Sequence, residues 1–166
     1  MKAVFMDLFG TLGEANPFRL YHGVPRALKK LNEANMKVFL FSNHEQFIPS
    51  FGEITGQLEN YNARLDDFYH CSHLPNEDCH CHKPKPGLLH QAAKDYRLDL
   101  KKCFVIGDTG NADMLAAHAV RAKKILVLTG NGKRSIRHFR YTWGEVKPDF
   151  VARDLNEAVN WILLQR

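Results

Sequence analysis

Runs of consecutive apolar residues recur along the chain, separated by stretches in which apolar positions repeat every three or four residues. The first run, AVFMDLF at 3–9, lacks a polar alternate face and predicts a strand buried on both sides. Residues 24–34 (VPRALKKLNEA) carry Val24, Ala27, Leu28 and Leu31 at helical spacing, and Pro25 falls in the first turn, where a missing N–H is tolerated. KVFLFS at 37–42 predicts a second strand. Residues 46–64 read as mostly helical, although Pro49, Gly52 and Gly56 work against that reading. A short strand over 67–71 and a Cys/His-rich loop over about 71–85 precede a helix over 86–97 that begins at Pro86. CFVIG (103–107) is a third strong strand, 111–120 a helix and KILVLTG (124–130) a fourth strand. The stretch 130–147 reads as a basic loop with a short helical turn; 149–152 adds a last short strand. Leu155–Leu164 forms a closing helix capped by Asp154.

Wholly apolar strands alternating with amphipathic helices predict an α/β fold: a three-layer, Rossmann-like α/β/α parallel sheet covered on both faces. No repeat or interdomain linker interrupts it, so residues 1–166 are expected to form a single domain. Ligands of such sheets bind at the carboxyl ends of the strands. Asp7 lies near the end of the first strand, Ser42 ends the second and Asp108 follows the third. Three separate segments thus bring polar chemistry to one edge.

Composition narrows the classes. Hydrophobic residues make up 45% of the 166, which argues against disorder. No apolar run approaches the roughly 20 residues of a membrane helix, and no basic, apolar leader opens the chain. A cytoplasmic protein without a membrane partner is therefore expected. The net charge of +5 is spread out, with one cluster at Lys133, Arg134, Arg137 and Arg140 and no recognition motif beside it. A small anionic ligand is expected, not nucleic acid. The assembly state is left open, with a monomer favoured. Cys71, Cys79 and Cys81 fall within eleven residues among several histidines, which reads as metal before disulfide. Cys103, at the start of a strand, reads as a buried small hydrophobe.

Asp7, Ser42, Lys83, Asp108 and Asp113 make a coherent set. Asp7 and Asp108 at neighbouring strand ends would hold a hard divalent cation, Mg²⁺ above all, with water and substrate phosphate. Asp7 could attack phosphorus and form an aspartyl-phosphate. Ser42 and Lys83 could bind the phosphoryl oxygens and offset transition-state charge. Gly10 and Thr11 suit a tight turn facing the anion, and Asn43 adds a substrate contact or a cap. The blander readings are a turn residue at Asp7, a helix cap at Ser42, a surface lysine at Lys83 and a first-turn acid at Asp113. Cys71 and His73 form a C-x-H pair and Cys79 and Cys81 a C-x-C pair. Those four ligands satisfy a closed, structural Zn²⁺ site that would place Lys83 two residues after its last ligand. His70, His80 and His82 leave another ligand set open, but in an extended segment His80 and His82 point away from the side of Cys79 and Cys81.

DLFGTL (7–12), FSN (41–43), HKPKPG (82–87) and VIGDTGNAD (105–113), in that order, resemble the motifs of the haloacid dehalogenase (HAD) superfamily across essentially the whole chain. The loop CSHLPNEDCHCHKPKPG (71–87) resembles the zinc loop of its small, nearly capless histidinol-phosphate and heptose bisphosphate phosphatases. The five-residue gap between His73 and Cys79 looks more like the histidinol-phosphatase version. The resemblance implies an Mg²⁺-dependent phosphatase for a small phosphorylated metabolite, working through an aspartyl-phosphate on Asp7. It also implies Asp7, the Phe9 backbone carbonyl and Asp108 as Mg²⁺ ligands, with Asp113 supporting them.

One position departs from that pattern. Phosphatases of the superfamily usually carry a second aspartate, the general acid and base, where this chain has Phe9. Three readings stay open: a weakened or specialised phosphatase for good leaving groups such as acyl or aryl phosphates, a non-catalytic phosphate or metal binder, and a dehalogenase-like hydrolase. Glu14, His22 and His44 are candidate substitutes for the missing acid and base because they lie in loops near the same edge.

Overall fold

The computed structural model describes residues 2–43 and 48–165. Six strands form one parallel sheet: β1 (Ala3–Met6), β4 (Lys37–Ser42), β5 (Asp67–His70), β6 (Phe104–Gly107), β7 (Lys123–Val127) and β8 (Phe150–Ala152). Their spatial order is β5-β4-β1-β6-β7-β8, and every pairing is parallel. The period-two alternation of a strand divides the core in two. Val4 and Met6 of β1 face a cluster built with Leu28 and Leu31 of α1 (Val24–Glu33) and Val159 and Ile162 of α6 (Leu155–Leu164). Ala3 and Phe5 face the opposite cluster, with Leu89 and Ala92 of α3 (Gly87–Tyr96) and Ala116 and Ala117 of α4 (Leu115–Ala119). The three-layer α/β/α architecture follows from strands that are apolar on both faces. Asp154 caps α6, its carboxylate accepting from the Glu157 N–H at 2.9 Å, and Cys103 is buried as its sequence position implies.

Several boundaries differ from the expectation. β1 stops at Met6, so Asp7 sits just past the strand, its N–H donating to the Ile106 carbonyl at 3.0 Å. The helix expected over 46–64 is reduced to α2 (Phe51–Gly56) and a 3₁₀ turn at Glu59–Tyr61; residues 44–47 lie outside the described residues. Ser50 and Glu53 form a reciprocal capping box that starts α2 after Pro49, and Gly56 ends it. The helix expected from 111 opens as a wide π-type turn over Gly110–Met114 before α4. A small antiparallel hairpin between β1 and α1, β2 (Gly13–Glu14) with β3 (Arg19–Leu20), was not anticipated; two-residue strands carry too little pattern to read. The basic segment contains α5 (Gly132–Ile136) and a 3₁₀ turn at Arg140–Trp143. Among the described residues, neither the segment between Thr11 and α1 nor that between β4 and β5 holds a separate cap. No helix among them is long and apolar enough to cross a membrane.

Candidate active site

At the carboxyl ends of β1, β4 and β6 the chain leaves a cavity of about 230 Å³, lined by Asp7, Phe9, Ser42, Lys83, Asp108 and Asp113 among others. Lys83 arrives from the Cys/His loop. Its ammonium group donates to Asp7 Oδ1 and to Asp113 Oδ1, both at 2.7 Å, and to the Phe41 carbonyl at 3.2 Å, lying 4.2 Å from the Phe41 ring centroid. Lys83 is 5% exposed and Asp113 fully buried. Burial alone would lower the lysine pKa, but the charges of Asp113 and Asp7 outweigh it, so Lys83 stays a cation. Burial and the neighbouring Asp7 carboxylate push Asp108 up to about 6. Burial and Asp7 raise Asp113 too, against the pull of Lys83.

The surrounding backbone holds these groups. Asp108 accepts from the Asn131 N–H at 2.7 Å and the Thr109 hydroxyl at 2.8 Å. Asp113 accepts from the Thr109 N–H at 3.1 Å through the wide turn that follows β6. Gly10 has φ +83°, and a Cβ there would stand 1.9 Å from Asp108 Oδ2, so the turn after β1 requires glycine for both conformation and space.

The structure gathers Asp7, Ser42, Lys83, Asp108 and Asp113 in one cavity. It gives five residues different surroundings from those expected. Asn43 lines the cavity, but its amide is spent on the Lys83 backbone, accepting from that N–H at 2.6 Å and donating to that carbonyl at 3.2 Å. Gly10 and Thr11 do not line the cavity; Thr11 is fully buried and its hydroxyl has no partner among the described residues. Glu14 and His22 are exposed and lie outside the cavity lining, and His44 lies outside the described residues. Phe9 is half-buried and packs edge-on against Phe18, with ring centroids 6.2 Å apart. Thr109, Ala112 and Asn131 also line the cavity and were not singled out. For Asn131 the signal was TGNG (129–132), a small-residue loop after an apolar strand, as after β6.

In the Cys/His loop, the ligand atoms of Cys71, His73, Cys79 and Cys81 all lie within 4.8 Å of one another. The Cys71 and Cys79 sulfurs are 3.9 Å apart, and His73 Nδ1 lies 3.2 Å from the Cys81 sulfur. Ligands of a tetrahedral zinc at about 2.3 Å stand about 3.8 Å apart; the donor set fits that ion and the Cys71–Cys79 spacing matches it, while the Cys81 sulfur lies closer, 3.0 Å from that of Cys71. The His82 N–H points at the Cys79 sulfur at 3.4 Å and lowers that thiol's pKa. Burial and the adjacent sulfurs push Cys81 up to about 12, a conflict that a bound cation relieves. His80 and His82 stand outside the cluster. A second group, Asp7, Asp108 and Asp113, likewise has its carboxylate oxygens within 4.8 Å of one another, a set that fits a hard divalent ion.

The HAD-hydrolase-like family model matches residues 80–158. The chain is 30% identical to the D-glycero-beta-D-manno-heptose-1,7-bisphosphate 7-phosphatase of Helicobacter pylori over 97% of both chains. It is 43% identical to the Pseudomonas putida enzyme of the same name over 66% of this chain and 68% of that one. Its fold matches that of D,D-heptose 1,7-bisphosphate phosphatase from B. bronchiseptica, solved with magnesium and phosphate, with a TM-score of 0.86 at 23% identity and full coverage of both chains. The short gap before Cys79 pointed towards the histidinol-phosphatase version of the loop, whereas these relatives are heptose bisphosphate phosphatases. The chain belongs to the HAD-like hydrolases, in the family of the D-glycero-β-D-manno-heptose-1,7-bisphosphate 7-phosphatases.

Proposed function

We propose that this phosphatase removes a phosphoryl group from a small phosphorylated sugar, with Asp7 as the nucleophile. The observation that carries the reading is the buried Lys83 ammonium, 2.7 Å from both Asp7 and Asp113 in a cavity shared with Asp108. An Asp7 oxygen attacks phosphorus, the bond from phosphorus to the sugar oxygen breaks, the sugar leaves as the alkoxide and takes a proton from solvent, and an aspartyl-phosphate forms. Water then attacks that phosphorus, returning the Asp7 carboxylate and inorganic phosphate. Lys83 and the Ser42 hydroxyl offset charge on the phosphoryl oxygens. Asn43 sets the height of Lys83 through its backbone. Asp7, Asp108 and the Phe9 carbonyl, supported by Asp113, would hold Mg²⁺, whose chemistry is to neutralise the phosphoryl oxygens. The Cys71, His73, Cys79 and Cys81 set would hold a structural Zn²⁺ that fixes the loop carrying Lys83.

Phe9 offers no proton to the departing sugar oxygen. Substrates whose leaving group is stable as an anion should therefore turn over faster than alkyl phosphates. Phosphate release from a panel of sugar, acyl and aryl phosphates, with Mg²⁺, tests the reading beside Asp7→Asn. Release no faster than in that variant for every substrate would overturn it, in favour of a phosphate binder.

A further inference from the structure

A second concavity, of about 700 Å³, opens between the β2–β3 hairpin and the segment that follows α2. Arg19 of β3, His22 and Arg26 of the first turn of α1 line it, with the rings of Tyr21 and Tyr61. Among the described residues, no aspartate or glutamate lines it and neither arginine has an ion pair. Two arginines on one concave surface suit a phosphate, which a guanidinium group binds in a bidentate fork. Tyr61, 57% exposed, offers a flat face of the kind that carries the body of a sugar.

The cleft is preformed. The Gln57 side chain accepts from the Leu20 N–H at 3.3 Å and donates to the Phe18 carbonyl at 3.1 Å, tying the hairpin to the end of α2. The Phe18 ring, one residue before Arg19, rests on Phe9, which lines the catalytic cavity. Asp108 is close enough to contribute to the raised pKa of Tyr21, after burial and Glu14.

We propose that this cleft is a second anion-binding site, taking the phosphoryl group of a phosphorylated sugar outside the catalytic cavity. The sugar rests on the function proposed above; the anion site does not. The phosphoryl group belongs either to the far end of a bisphosphorylated substrate or to a separate sugar phosphate.

Isothermal titration of the protein with inorganic phosphate, in the presence of Mg²⁺, tests the site without turnover. Two classes of phosphate binding are expected in the wild type. The R19A/R26A variant should lose one class, at about tenfold or more for each guanidinium removed. R19K/R26K keeps the charge without the fork and should recover part of that class. A single class in the wild type, or an R19A/R26A isotherm that superimposes on it, overturns the proposal. Kinetics with fructose 1,6-bisphosphate and p-nitrophenyl phosphate then separate the sources. A KM raised in R19A/R26A for the bisphosphate alone assigns the site to the far end of the substrate, and unchanged KM values assign it to a separate ligand. If neither compound is hydrolysed, the phosphate titration still decides this proposal, while the function proposed above is judged on its own substrate panel.

Discussion

Phe9 sets the chemistry that the cavity lacks. If the ring merely replaced an acid and base on a working scaffold, Phe9→Asp should raise turnover of an alkyl phosphate by up to ~10²–10⁴-fold, and by less for an aryl phosphate. A folded Phe9→Asp protein no more active than Asp7→Asn would show that more than one proton donor is missing. Asp108 makes a prediction of opposite character. Its carboxyl is held at about 6, above the ordinary 3.8, so without metal the folded state is penalised as pH rises from about 4 through 6. Asp108→Asn, which keeps an acceptor for the Asn131 N–H, should then stabilise the metal-free protein at pH 7 by roughly 2–3 kcal/mol. The gain should vanish below about pH 4, and Mg²⁺ binding should be lost. Thermal melts from pH 4 to 8 in chelator check it; a destabilised variant at pH 7 would refute it. The same proton competes with the ion, so wild-type Mg²⁺ affinity should fall as pH drops through about 6. Asp7, Asp108 and Lys83 were legible as residues because each follows a readable strand or ligand pair. The role of Asn43 was not, because a side-chain amide facing a backbone 40 positions away leaves no local pattern.

At the scale of elements, two loops carry the site. The Cys/His loop brings Lys83 to β4, and two hydrogen bonds between its backbone and the Asn43 amide, one in each direction, fasten it there. Asn43→Ala removes both, at about 0.5–1.5 kcal/mol each, and should lower kcat more than it lowers the melting temperature, because the lysine loses its anchor while the core is untouched. An unchanged kcat would separate Asn43 from the positioning of Lys83. Cys79→Ser with Cys81→Ser should lower stability and zinc content together, by elemental analysis from about one ion per chain; full zinc occupancy in that variant would exclude the ligand set. The long strands and α1, α3 and α6 were readable from apolar periodicity, which their burial on the sheet enforces. The hairpin and the shortened α2 were not. The hairpin is held by a tertiary partner, the Gln57 bridge to Phe18 and Leu20, of which a sequence window contains only one side; the ends of α2 are set locally, by the Ser50–Glu53 capping box and Gly56, which outweigh the apolar spacing over 46–64.

For the molecule as a whole, the strand order explains why so few residues suffice. β1 lies at the middle of the sheet with β4 on one side and β6 on the other, so the carboxyl ends of three adjacent strands meet at one place, with no cap among the described residues. Parallelism followed from the sequence because the inner strands are largely apolar on both faces; their order did not. Which strand takes the edge is decided by pairing and was not legible. That edge has a consequence for how the protein comes apart. β5 is held by a single neighbour, and the Cys/His cluster begins at the residue after it. Stripping metal with a chelator should therefore unzip the molecule from one side. Amide exchange should accelerate first across 67–83, while β1, β6 and β7 keep their protection. Uniform acceleration across the sheet would mean that the chain opens as one unit instead. In the directional case the lysine departs before the nucleophile does, and loss of activity would run ahead of any loss of secondary structure.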